Sequence, residues 1–240
     1  MFHIVARVPG APIHLRPAAE LAERVLLPGD PHRALHVAQA LLEQPKMFNH
    51  HRGLWGYSGT ARDGSLLTVQ STGMGGPSAA IVVEELIGLG ARTLIRIGTC
   101  GALVDDIELG TLVPVESAIA ADGTSRALGA DGSVAANAAI TSALAEAAGS
   151  APLACVSTDL FYDAREEVAR AWVDGGAAVV EMEAATVLQV ASRHGVRAGC
   201  LLAVTDLLTG GRVRAEFEAV ETMGTALGET AWSALGLAGL

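Results

Sequence analysis

The run Ser71-Thr72-Gly73-Met74-Gly75-Gly76-Pro77-Ser78 is a glycine-rich turn, and after a helical stretch it is answered by Leu94-Ile95-Arg96-Ile97-Gly98-Thr99-Cys100-Gly101. An apolar strand-like segment, residues 66–70, leads into the turn; helical spacing of apolar residues follows over 78–89; a second strand-like run covers 93–97. Strand, turn, helix and strand in that order define an α/β protein with a mainly parallel or mixed sheet. Arg96 stands between Ile95 and Ile97 in the second strand, where an unpaired buried charge is prohibitively costly, so it must meet a partner. A small anion is the natural candidate. Glycines and hydroxyls just downstream let backbone N–H groups come close to such an anion.

The same rhythm extends outward. Residues 25–27 read as a strand followed by a helix over 32–42, and residues 55–60 and 66–70 flank Asp63-Gly64, a dipeptide that favours a tight hairpin. Strands are expected at 112–116 and 198–205, and helices at 137–148, 184–194 and 215–235. The Ala/Gly/Asp-rich piece 120–135 reads as a surface loop. Residues 1–11, with Pro9-Gly10, precede the first periodic element and read as an N-terminal extension open to disorder. No repeat or linker interrupts residues 12–240, which are expected to form one domain, a central mixed sheet flanked by helices.

Composition narrows the function. With 240 residues, 50% of them hydrophobic, the chain can fill a sizeable core. Its formal charge of -10 argues against a surface built for nucleic acid or anionic lipid, so any bound anion needs a local basic pocket. The three cysteines, Cys100, Cys155 and Cys200, form no CxxC pair, which suggests neither a disulfide framework nor a metal site and points to a reducing compartment. No apolar stretch approaches the ~20 residues of a membrane span. A soluble, cytoplasmic protein is expected.

Several short constellations could carry chemistry. Pro28-Gly29-Asp30-Pro31-His32-Arg33 joins a strand to a helix, with Asp30 as N-cap and Pro31 at the first helical position. It is either a well-made helix start or an anion site in which Gly29 admits the ligand and Arg33 adds charge. The Gly73 to Ser78 turn superficially fits a dinucleotide fingerprint, yet the next strand ends in Arg96-Ile97-Gly98 rather than in the acid that such a site requires. Glu181-Met182-Glu183 sits between an apolar segment and a helix. Those two acids are either a surface helix terminus or include an acceptor for a vicinal diol such as ribose hydroxyls, with Met182 as an apolar wall. Asp206 closes a strongly apolar strand at the edge where α/β proteins gather ligands; it is either a turn initiator or a general acid. Phe161-Tyr162 matters in a chain with 4% aromatics, where a ring at a strand end can pack in the core or stack on a base.

Read together, these pieces resemble the nucleoside phosphorylase family, most closely its hexameric bacterial purine nucleoside phosphorylases. The matching residues are Pro12-Ile13-His14, Pro28-Gly29-Asp30-Pro31-x-Arg33-Ala34, His51-Arg52-Gly53-Leu54-Trp55-Gly56-Tyr57-Ser58-Gly59, the Ser71 to Gly101 stretch, Ser157-x-Asp159-x-Phe161-Tyr162, Glu181-Met182-Glu183-Ala184-Ala185 and Thr205-Asp206. They fall in family order along most of the chain. The resemblance implies reversible phosphorolysis of purine ribo- and deoxyribonucleosides, with inorganic phosphate as co-substrate and no metal or other cofactor. It implies phosphate binding by Gly29, Arg33, Arg96 and Thr99, with Arg52 from a neighbouring subunit. Ribose would meet Met182 and Glu183, and His14 of the neighbour would contact the 5′-hydroxyl. The base pocket would involve Cys100, Gly101, Phe161, Val180 and Glu181, and Asp206 would protonate the purine with help from Arg214. Sites shared across an interface require an oligomer; the family pattern is a hexamer, a trimer of dimers.

Departures from the pattern are few. Thr99 and Thr205 stand where purine enzymes often carry Ser. The Thr209-Gly210-Gly211 loop blurs the alignment, so that Arg212 competes with Arg214 for the assisting role. Uridine phosphorylases are the nearest rival, but Arg165 and Glu167 occupy the positions of their pyrimidine-reading Gln and Arg. Methylthioadenosine or adenosylhomocysteine nucleosidases, which use water, would have no use for three gathered arginines.

Overall fold

In the computed structural model, residues 12–240 are described; the extension read at 1–11 lies outside the described residues. The first strand, β1 (Arg24–Pro28), passes through Gly29 into helix α1 (Pro31–Leu41), where Asp30 caps the start by accepting the Arg33 N–H at 2.7 Å. Strands β2 (Leu42–Asn49), β3 (Gly56–Ala61) and β4 (Leu66–Gln70) form an antiparallel meander, and β3 and β4 pair around Asp63-Gly64 as their sequence predicts. β2 carries no alternation of apolar residues, so its sequence gives no strand signal. It is an edge strand bent at Gln44, whose φ is 47°, and Pro45 and Lys46 blunt its outer rim.

Helix α2 (Gly76–Leu89) then leads to β5 (Thr93–Ala102), which runs five residues past the expected end at Ile97 and takes Gly98-Thr99-Cys100-Gly101 into the sheet. β6 (Leu112–Ala120) comes next. The stretch expected as a surface loop instead holds helix α3 (Gly123–Ala127), begun by the buried cap Asp122, and strand β7 (Ser133–Ala135) on the edge of β6. Helix α4 (Ala138–Ala148), strand β8 (Leu153–Ser157), helix α5 (Glu166–Asp174) and strand β9 (Val179–Glu181) precede helix α6 (Ala184–Arg193). Strand β10 (Arg197–Leu207), the two-residue β11 (Val213–Arg214) and helix α7 (Phe217–Leu237) complete the described chain.

These strands make one eleven-stranded mixed sheet. β1 lies between β4 and β5, all parallel, and β10 adds to the far side of β5 in parallel, with Arg96 opposite Leu27 on one side and Cys200 on the other. Because β10 also pairs with β6, β6 with β8, β8 with β9, and β9 back to β5, five strands close a ring. Alternate side chains feed two cores. Leu26, Ile95, Ile97 and Leu201 meet Val37 of α1, Ile140 of α4 and Leu227 of α7. On the other face Val25, Leu94 and Leu202 meet Val82 and Leu86 of α2 and Val187 of α6. Arg96 follows Leu94 onto this second face. The carboxyl ends of β4, β1, β5 and β10 therefore open at one end of the sheet, where α/β proteins form their ligand crevice.

Candidate active site

Arg96 is 3% exposed, and its partners are carboxylates. Its Nε and Nη2 donate to Glu181 Oε2, each at 2.8 Å, and Nη2 also reaches Glu183 Oε2 at 2.5 Å. Burial alone would lower its pKa, but Glu183 and Glu181 raise it above the ordinary arginine value. Among the described residues Nη1 has no hydrogen-bond partner although it is buried. The guanidinium fits because residue 98 is glycine: a Cβ there would lie 2.8 Å from Nη2 and 3.0 Å from Cζ.

Glu183 links this arginine to the glycine-rich turn. Its Oε1 accepts the Gly75 N–H at 2.5 Å, and Gly75 sits at a φ of 83° that favours glycine. Burial pushes the Glu183 carboxyl above its usual value, partly opposed by Arg96. The two loops that the sequence marks as anion cradles are laced together: Thr72 N–H donates to Pro28 O at 2.9 Å and Gly73 N–H to Gly29 O at 3.0 Å. Arg33, half-buried one turn into α1, has its pKa lowered by burial first, and it feels the charges of Asp30, Arg96 and Glu183. Arg33 thus lies within electrostatic reach of Arg96 and Glu183. Arg33 also packs on Gly224 of α7, where a Cβ would lie 3.2 Å from its Cγ. Thr99 is half-buried three residues beyond Arg96 on β5.

A second corner forms around Asp206, which is 8% exposed. Thr205 Oγ1 donates to its Oδ2 at 3.0 Å, while Arg212 donates from Nε at 2.8 Å and Nη2 at 2.7 Å to Oδ1. Arg214 is opposite Asp206 in the β10–β11 ladder but the ion pair belongs to Arg212. Arg212 also lies 5.3 Å above the ring of Phe161, which is 54% exposed and packs edge-on against Tyr162 at 5.0 Å. Gly101 pairs with Asp206 on one side and Val180 on the other, and a Cβ at Gly101 would meet Leu208 at 2.7 Å and Val180 at 3.5 Å. Cys100 is buried alongside, its thiol 3.6 Å from Ala203 O and pushed well up by burial. Met182, half-buried, separates the two glutamates. The Phe161 ring, the small backbone of Gly101 and the Asp206 carboxyl therefore share one corner, one strand over from Arg96.

Two expected residues lie elsewhere. His14 Nδ1 is 2.8 Å from Glu85 Oε1 of α2, and Glu85 also accepts the N–H groups of Ile13, His14 and Leu15 at 3.1, 3.0 and 2.7 Å. Arg52 is exposed in a 3₁₀ turn (His51–Gly53) with φ 59° and ψ 20°, a left-handed conformation that costs a non-glycine residue about 1 kcal/mol. It acts with Arg16, His50 and His14 on His51, whose pKa falls by desolvation first and then by these charges. Roles for Ser157, Gly98 and Gly224 are not visible in the sequence. Ser157 stands out only as a member of a motif; the sequence marks the glycines after Arg96 for backbone approach to an anion, not for making room for the guanidinium, and Gly224 gives no local signal.

The family model described as the phosphorylase superfamily matches residues 23–233, and the chain belongs to that superfamily. It is similar to the purine nucleoside phosphorylase DeoD-type of Caldanaerobacter subterraneus subsp. tengcongensis, 39% identical over 206 residues, 82% of this chain and 88% of that protein. The protein of the same description from Geobacillus kaustophilus is 38% identical over 82% of this chain and 86% of its own length. That from Jannaschia sp. is 37% identical over 82% and 87%. Among the described residues no helix is long and apolar enough to cross a membrane.

Proposed function

We propose that this chain is a purine nucleoside phosphorylase, a pentosyltransferase that exchanges the base of a purine nucleoside for inorganic phosphate and releases pentose 1-phosphate. The observation that carries this reading is the unpartnered Nη1 of buried Arg96, within electrostatic reach of Arg33 and next to a carboxylate suited to a sugar diol. A buried donor without a partner is costly unless a ligand supplies one. The names of the relatives point the same way.

On this reading phosphate sits against Gly29, Arg33, Arg96 and Thr99. Glu183 accepts hydrogen bonds from the ribose hydroxyls while Met182 packs on the sugar. Phe161, Val180, Cys100 and Gly101 surround the base. Breaking the N-glycosidic bond develops positive charge on the sugar, which phosphate oxygens stabilise, and negative charge on the base, which a proton from Asp206 relieves. Arg212 then stabilises the carboxylate left behind; it takes the assisting role in preference to Arg214. His14 and Arg52 are assigned to the site of a neighbouring subunit, so the working form is an oligomer, by family pattern a hexamer, and its setting is the cytoplasm, in nucleoside salvage. Arg165 is turned to Asp163 at 2.8 Å and is exposed, which does not favour a pyrimidine reader. Inosine, guanosine, adenosine and uridine incubated with and without phosphate provide the test. Phosphate-dependent release of purines is expected; equal release of base in both conditions overturns the reading.

A further inference from the structure

The five N–H groups of a guanidinium cannot all face a ligand, and in Arg96 one edge is fully committed. Nε and Nη2 are turned to Glu181, and Nη2 also to Glu183, which leaves Nη1 as the free donor. What fixes the direction of Nη1 is therefore whatever fixes Glu181. Its Oε2 accepts the N–H groups of Glu183 at 2.8 Å and Ala184 at 2.9 Å besides Arg96, and its Oε1 accepts the Ala184 N–H and the hydroxyl of Ser157. Ser157 is itself pinned, because its Oγ accepts the Ala185 N–H at 2.8 Å and it is the register partner of Glu181 across β8 and β9. Both side chains are buried, and no lone pair of Glu181 is left for a base or a sugar.

We propose that Ser157 and Glu181 are positioning residues that hold Arg96 with Nη1 aimed at the phosphate subsite; this rests on the phosphorolysis reading above. The alternative roles make opposite or null predictions. A carboxylate beside an anion site repels the anion, so if Glu181 acted by charge alone its neutralisation would tighten phosphate binding. If it only capped α6, its loss would lower stability and leave phosphate affinity alone.

The test compares Glu181→Gln and Ser157→Ala with the parent chain by phosphate and inosine saturation kinetics. Thermal midpoints with and without inorganic phosphate are read alongside. In Glu181→Gln the amide can turn its carbonyl to Arg96, and the Ser157 hydroxyl can rotate to accept, so folding is expected while the charged clamp is lost. The phosphate KM should rise about tenfold, as expected for weakening one charge-assisted hydrogen bond, with the inosine KM within about twofold. Ser157→Ala keeps every charge and should raise the phosphate KM about threefold in the same pattern. A phosphate KM that is unchanged or lower in both variants, or one that moves in step with the inosine KM, overturns the positioning role. Base release by the parent chain without phosphate would instead refute the phosphorylase reading. The stabilisation of each protein by inorganic phosphate alone separates the two failures.

Discussion

Gly98→Ala is the substitution whose consequence is best fixed by the geometry. The added methyl would lie 2.8 Å from Nη2 and 3.0 Å from Cζ of Arg96, and 3.3 Å from Leu202 Cδ2. Ordinary contact between such atoms begins near 3.5 Å, so the guanidinium must retreat by roughly 0.7 Å. Leu202 also crowds the methyl and is fully buried, so the strain cannot be passed to it cheaply. The nitrogen that moves is the one bonded to both Glu181 at 2.8 Å and Glu183 at 2.5 Å. Weakening charge-assisted hydrogen bonds of this kind costs about 1.5–3 kcal/mol, part of which relaxation recovers. A loss of about 1.4–2.8 kcal/mol at the anion corner corresponds to a phosphate KM raised ~10–100-fold. Alanine is better than glycine in a strand interior by roughly 0.5–1 kcal/mol, which offsets the crowding and keeps the variant folded. The assay is phosphate saturation at fixed inosine, with the phosphate-induced rise in thermal midpoint as an independent reading. A folded variant whose phosphate KM stays within about twofold of the parent would refute the claim that this glycine exists to admit the guanidinium.

Asp206→Asn should lower purine turnover by ~10²–10⁴ while the phosphate-induced stabilisation persists; near-parental turnover would remove Asp206 as the acid. Arg212→Ala should reduce turnover more than Arg214→Ala, since only Arg212 holds the Asp206 carboxylate, and the reverse order in steady-state kinetics would return the role to Arg214. Burial holds the thiols of Cys100, Cys155 and Cys200 above their usual pKa, so a thiol-specific disulfide reagent at mildly alkaline pH should label none of them until denaturant is added. Glu85 is held below its usual 4.5: burial opposes this, but the N–H of Leu15, the ring of His14 and further N–H groups outweigh it. Its stabilising contribution is therefore complete above 4.5 and is lost as pH falls through the lower folded value. Thermal midpoints measured on acidification should drop more steeply for the parent chain than for Glu85→Gln.

The features legible in the sequence are the local ones. Arg96 between two isoleucines announces a buried charge, Asp30-Pro31 announces a helix start, and Asp63-Gly64 announces a hairpin; each signal sits within a few residues. The partners of Arg96 are out of reach of such signals, because Glu181 meets it only after β9 turns back antiparallel onto β5 and closes the ring of strands, a contact between residues far apart in the chain. β9 itself has only three residues, too few for any periodicity. Arg212 and Arg214 cannot be separated by spacing, since the choice depends on Gly210 and Gly211 at φ of 64° and 110°, which turn the chain so that β11 presents residue 214 through its backbone. α3 is hidden in a composition that looks like loop; Asp122, buried and bonded to Ser125 and Thr186, is what makes it a helix.

On the proposed reading, the anion corner of a single chain is close to electrically neutral before phosphate arrives. Arg33 and Arg96 bring two positive charges, and Glu181 and Glu183, both in the same buried cluster, bring two negative ones. Directed N–H donors remain, but little net attraction for a dianion does, and the chain as a whole carries -10. Removing the glutamates would not help, since one aims Arg96 and the other is assigned to the sugar. The remedy compatible with both duties is a cation brought from outside the cluster. Arg52 fits that requirement: it is exposed, sits in a strained left-handed turn beside Arg16 and three histidines, and is engaged in none of the ion pairs among the described residues of its own chain. Backbone strain at an exposed arginine is hard to explain by the stability of the isolated chain, and becomes intelligible if the turn is shaped to present that side chain to another copy.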